Sequence, residues 1–103
     1  MALKDIQHKI RSGEYNFSDH AVKRMITRDI LRHEIEEAIF QGGIIEEYPD
    51  DKYSPSCLVY GRIEIGLDIH CVWAYDDAKK LAILITTYKP DENEWIDFKA
   101  RRG

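Results

Sequence analysis

The sequence predicts an α+β domain in which N-terminal helices pack on one face of a four-stranded antiparallel sheet. Three observations predict it. Apolar residues recur at helical spacing up to Gly42-Gly43 and at two-residue spacing beyond that pair. The β-like segments are joined by short polar connections, which favour antiparallel hairpins over parallel crossovers. The order, three helices followed by four strands, segregates the helices to one side of a sheet. At 103 residues the chain makes one domain, 1–103, with a charged C-terminal tail over 91–103.

The first helix is read over Ala2 to Arg11, where Leu3, Ile6 and Ile10 share a face and Gly13 supplies a stop. Glu14 to Phe17 reads as a short link with two aromatics. Ser18 is an N-cap residue for a second helix over Asp19 to Arg28, with Ala21, Val22, Met25 and Ile26 as its apolar stripe. A third helix covers Leu31 to Phe40, burying Ile35, Ala38 and Ile39.

Strands follow at Ile44–Tyr48, Ser56–Ile65, Leu67–Tyr75 and Lys80–Tyr88, with a polar loop PDDKYSP between the first two. Gly66 turns the chain into the third strand, and Pro90 closes the fourth. In the tail, Trp95 and Phe98 are apolar enough to pin it back onto the body.

Composition narrows the function. Apolar content of 44% with 33% charged residues is that of an ordinary soluble globular protein. No apolar run approaches the ~18 residues of a membrane span, and the charged start MALKDIQHKIRSG is unlike a signal peptide. A cytoplasmic location is expected. Cys57 and Cys71 lie in apolar runs without metal-binding spacing, so they read as reduced core thiols, and no metal or cofactor is expected. Net charge is −4, but residues 1–33 carry seven basic and four acidic side chains against eight and fifteen in the remainder. A local anion site fits that asymmetry.

His20, Arg24 and Arg28 stand at i, i+4 and i+8 of the second helix and form one row, drifting ~40° per step. Guanidinium forks suit phosphate oxygens, and an imidazole can carry a proton near neutral pH. The bland alternative is a solvated charged face. Strand alternation gathers Tyr60, Arg62, His70, Thr86 and Tyr88 on one sheet face, provided no bulge intervenes. The bland alternatives there are a histidine bonded to backbone and tyrosines in cross-strand packing. The common hydrolase and nucleotide-binding motifs are missing from the sequence.

The segments SDHAVKRMITRDI, IEEAIFQGGIIEEYPDDKYSPSCLVYGR, IHCVWAY and ITTYKPD resemble the bacterial proteins grouped as domain of unknown function 4258, over about Ile6 to Trp95. That group is similar to the RelE/ParE and MqsR-like toxins. The resemblance implies helices followed by a curled antiparallel sheet. It also implies metal-independent cleavage of mRNA, and pairing with an antitoxin, commonly of zinc-finger and helix-turn-helix architecture. On it, His20, His70 and Tyr88 are expected as the catalytic set, and Arg24, Arg28 and Arg62 as phosphate-binding groups. The alternatives are a non-catalytic module of the same fold acting through a protein partner, with its acidic segments Glu46–Asp51 and Asp91–Asp97 on a basic surface, and a structural homodimer.

Overall fold

Helix α1 (Leu3–Arg11) lays Ile6 and Ile10 into the core and ends where Gly13 takes a positive φ of 75°. The chain then enters β1 (Tyr15–Phe17), α2 (Asp19–Arg28) and α3 (Arg32–Gln41). The strands β2 (Gly43–Tyr48), β3 (Ser56–Arg62), β4 (Asp68–Asp76) and β5 (Leu81–Tyr88) follow, and a terminal hairpin pairs β6 (Trp95–Ile96) with β7 (Ala100–Arg101). The computed structural model describes residues 2–51 and 54–103. The middle of the polar loop expected at Pro49–Pro55 lies outside the described residues.

The main sheet corrects the sequence-based expectation. It has five strands in the order β1-β5-β4-β3-β2 and is mixed, because β1 runs parallel to β5 through Tyr15↔Ala82 and Phe17↔Leu84. Of the four residues read as a link, Tyr15–Phe17 are a strand. Tyr15 and Phe17 turn inward around exposed Asn16, and the Glu14 carbonyl accepts from Ala82 N–H at 3.1 Å to start the pairing. Three residues are too few to display a period-two pattern, so only the pairing partner reveals the strand. The second strand also stops at Arg62, three residues short of the expected Ile65, where Ile63 N–H and the Leu67 carbonyl close the turn.

Helices α1 and α3 cover one sheet face. Ile6, Ile10, Ile35, Ala38 and Ile39 meet Val59, Ile69, Cys71, Trp73 and Leu84 there, all of them buried. Cys57 and Cys71 are free core thiols, and burial pushes them up to about 11 and about 12 respectively. Such thiols are protonated and inert at neutral pH. Helix α3 approaches β3 closely, since a side chain on Gly61 would collide with the Ala38 backbone and one on Gly42 with the Tyr60 carbonyl.

Helix α2 takes a different place. Ser18 caps it as expected, its Oγ accepting from Ala21 N–H at 3.0 Å, and Asp29 ends it in the left-handed conformation. It packs along the β5 edge rather than flat on the sheet, so one narrow line is covered. Ala21 is buried and Met25 half-buried, whereas Val22 is 41% and Ile26 75% exposed. The four-residue apolar stripe read from sequence is therefore split. The Ser18 amide and hydroxyl bond the Leu84 and Ile85 carbonyls at that edge.

Two bulges set the faces. Ile45 is the extra residue in β2 and Ile85 in β5, as the register steps from Ile44↔Val59 to Glu46↔Leu58 and from Val72↔Thr86 to Trp73↔Leu84. The bulge at Ile85 lets Ala82 and Leu84 face the core while Thr86 and Tyr88 face away. Unbroken alternation would have kept all four together. The C-terminal hairpin lies across this second face. The protein thus has helices, sheet and a short strap in three layers.

Candidate functional site

Register builds the centre of the strap-covered face. Tyr60, His70 and Tyr88 are direct cross-strand neighbours on β3, β4 and β5. The His70 ring packs edge-on against both tyrosines, at centroid distances of 5.6 and 5.2 Å, and against Trp95 of the strap at 4.5 Å. His70 is fully buried. Its Nε2 lies 2.6 Å from the Phe98 carbonyl oxygen and its Nδ1 3.2 Å from the Tyr88 hydroxyl. Burial lowers its pKa, opposed by the Phe98 bond and by the negative charge of Glu46 and Asp68.

Around it the polar groups are paired. The Tyr60 hydroxyl donates to Asp68 at 2.6 Å, and burial with that bond pushes the phenol up to about 12. Burial likewise pushes Tyr88 up to about 12. The Glu46 carboxylate accepts from the Tyr48 hydroxyl and from Arg101 Nε. Burial raises its pKa, but those two bonds outweigh burial and leave it lowered. Arg101 also stacks over the Trp95 ring, with 4.7 Å from its guanidinium carbon to the ring centroid.

Beside this buried centre an open groove of about 560 Å³ is lined by Arg28, Tyr88, Lys89, Asp91 and Glu94. Arg28 reaches it from α2, anchored where its Nη1 donates to the Thr87 carbonyl at 2.8 Å. Thr87 itself points inward, its hydroxyl donating to the His70 carbonyl at 2.9 Å. The half-buried Tyr88 hydroxyl therefore stands between the imidazole and the groove.

The family model for Domain of unknown function (DUF4258) matches residues 17–89, which span α2 through β5 and contain the strands that carry Tyr60, His70 and Tyr88. The chain belongs to the DUF4258 family. No curated protein and no solved structure gives a significant match.

In this DUF4258 chain, the six residues singled out from sequence divide into three groups. Arg28, Tyr88 and His70 come together as described. Arg24 Nε contacts His20 Nε2 at 3.5 Å on the exposed side of α2, and neither residue lines the groove. Arg62 Nη1 pairs with Asp68 at 3.3 Å at the β3–β4 turn, so its charge is answered within the hairpin. The expected sheet-face set of Tyr60, Arg62, His70, Thr86 and Tyr88 does share one face by register.

Sequence reasoning missed Lys89, Glu46, Asp68 and Arg101 as neighbours of the site. Lys89 directly follows Tyr88 and was the most accessible of these by inspection. Glu46 and Arg101 are 55 positions apart and meet only because the strap folds back. No helix among the described residues is long and apolar enough to cross a membrane.

Proposed function

We propose that the protein is a ribonuclease that cleaves mRNA without a metal, by attack of the RNA's own 2′-OH on the adjacent phosphate. One observation carries the reading: the Tyr88 hydroxyl links the buried His70 to a groove that holds the cations Arg28 and Lys89 beside the acids Asp91 and Glu94. Arg28 and Lys89 bind the phosphate oxygens and stabilise the charge that builds on them. The 2′-OH proton passes to Tyr88 Oη as the Tyr88 proton passes to His70 Nδ1. The O2′–P bond forms, the P–O5′ bond breaks, and O5′ takes a proton from water.

This route suits the environment of Tyr88. A phenol pushed up to about 12 is a poor free base at neutral pH, but it can relay a proton to an imidazole that burial keeps neutral. The imidazolium formed is stabilised by the Phe98 carbonyl, Glu46 and Asp68. Arg24, further along α2 and bonded to His20, adds a cation towards a neighbouring phosphate. The resemblance to RelE/ParE and MqsR-like toxins supports the same reading, and with it an antitoxin partner of zinc-finger and helix-turn-helix type.

The test is induced expression in a bacterial host together with cleavage of mRNA by the purified protein. The parent arrests growth, and a co-expressed antitoxin restores it. Tyr88→Phe, which keeps the ring and removes the relaying hydroxyl, lowers cleavage by about 10²–10⁴-fold. A parent that leaves growth and RNA untouched overturns the proposal.

A second reading is a binding module that acts through a protein partner. The exposed Val22 and Ile26 on α2 favour it, because paired apolar side chains on a surface helix suit a protein contact. Its mark is a partner bound through α2 with no change in RNA.

A further inference from the structure

The strap over the sheet is built around an unfavourable turn. Asp97 and Phe98 are consecutive residues with φ of 51° and 60°, and Lys99 N–H closes the turn onto the Ile96 carbonyl at 3.0 Å. Two positive φ angles in a hairpin turn are the pattern that Asn-Gly or Gly-Gly ordinarily supply. A bulky residue such as phenylalanine adopts this conformation only when its surroundings hold it there.

What holds it converges on His70. Trp95, just before the turn, is buried with its ring edge-on to the imidazole at 4.5 Å. Arg101, just after it, is clamped to Glu46 at 3.0 Å and stacked on Trp95. Between them, the left-handed Phe98 aims its carbonyl at His70 Nε2, 2.6 Å away. A carbonyl oxygen can only accept, so Nε2 carries the hydrogen. In the neutral imidazole Nδ1 is then the bare nitrogen, and the Tyr88 hydroxyl must donate to it.

We infer that the C-terminal strap is a positioning element for the site, with the Phe98 carbonyl fixing the His70 tautomer that receives the Tyr88 proton. The inference rests on the proton relay proposed above and assigns a role to residues beyond the stretch matched by the family model. Phe98 touches no substrate and acts through His70. The strained turn is what this placement requires, since a relaxed turn would swing the carbonyl away. The charged and titratable groups around His70 are Glu46 from β2, Tyr60 from β3, Asp68 from β4, Tyr88 from β5 and Arg101 from the strap.

Two substitutions at one position separate the carbonyl from the ring. Phe98→Gly removes the ring but accepts a positive φ, so the carbonyl stays. Phe98→Pro removes the ring and forbids the positive φ, so the carbonyl leaves. Nitrogen-15 NMR of the imidazole reads the tautomer directly, and RNA cleavage against pH reads the relay. The expected result is an Nε2–H tautomer in the parent and in Phe98→Gly. Phe98→Pro should lose that tautomer, its His70 pKa should fall as the bond that raises it is lost, and its cleavage should fall at least about tenfold below Phe98→Gly.

Labelling of the buried Cys71 thiol reports whether Phe98→Pro has unfolded. If it has, Arg101→Ala gives the same test by releasing the Glu46 clamp with the turn sequence intact. An Nδ1–H parent, or a tautomer and pH profile unmoved by Phe98→Pro and by Arg101→Ala, overturns the inference. A tautomer that responds while no form cleaves RNA upholds the positioning and overturns the ribonuclease reading. Cleavage with an unresponsive tautomer does the reverse.

Discussion

Arg28 on helix α2 donates through Nη1 to the carbonyl of Thr87 on strand β5 at 2.8 Å. The bond satisfies an acceptor on the part of β5 that β1 is too short to pair. It also fixes the guanidinium beside Tyr88, with its other N–H donors available.

Arg28→Ala should therefore act twice. Losing the edge bond should lower stability by about 1–2 kcal/mol, read by urea unfolding. Losing one phosphate contact should weaken RNA binding and reduce its log–log salt slope by about 0.7, the single-strand value per contact. Arg28→Lys keeps a charge without the planar fork and should retain the salt slope while losing the edge bond. An unchanged salt slope in Arg28→Ala would remove Arg28 from the RNA site.

Stability should depend on pH through His70. Burial lowers its folded pKa below the ordinary 6.5, so the unfolded chain takes up a proton before the folded one does. The stabilisation is complete above 6.5 and is lost as pH falls from there towards the lower folded value. The lowered carboxyls of Glu14 and Glu46 act only below their ordinary 4.5. A melting temperature that falls between pH 6.5 and 5 in the parent, and much less in His70→Gln, is the expected outcome. Equal slopes in both would show that His70 is not buried in solution.

The helices and the four long strands were legible because each spans enough residues to show its period. The pairing of Arg28 with β5 was not legible, because it depends on α2 lying along an edge. The same cause hid the exposure of Val22 and Ile26, since amphipathic spacing assumes a broad face to cover. The shared face of Tyr60, His70 and Tyr88 was read from alternation, yet it holds together with a core-facing Leu84 only through the bulge at Ile85. Trp95 and Phe98 were legible as anchors, but the aim of the Phe98 carbonyl at His70 depends on a backbone angle that no side-chain pattern encodes.

Ile26 offers a direct probe of the second functional reading. It is 75% exposed, so Ile26→Ser should change folding stability by less than about 0.5 kcal/mol. If α2 is a protein-binding face, the same substitution should weaken partner binding by about tenfold in a titration. Binding of an antitoxin unaffected by Ile26→Ser and Val22→Ser together would place the partner elsewhere.

The α3–β3 contact sets a final stability prediction. A Cβ on Gly61 would fall onto the carbonyl oxygen, Cα and carbonyl carbon of Ala38. These are backbone atoms in the middle of a helix, so they cannot rotate aside as a side-chain end would. Gly61→Ala must lift α3 from the sheet, loosening Ile35 and Ile39 from the core, and overpacking of this kind costs about 1–3 kcal/mol. The double variant Gly61→Ala with Ala38→Gly should not recover that loss, because the colliding atoms remain. Denaturant midpoints of both variants below the parent, with the double no better than the single, are expected. Recovery in the double variant would mean that the Ala38 methyl, and not the helix backbone, sets the spacing between α3 and β3.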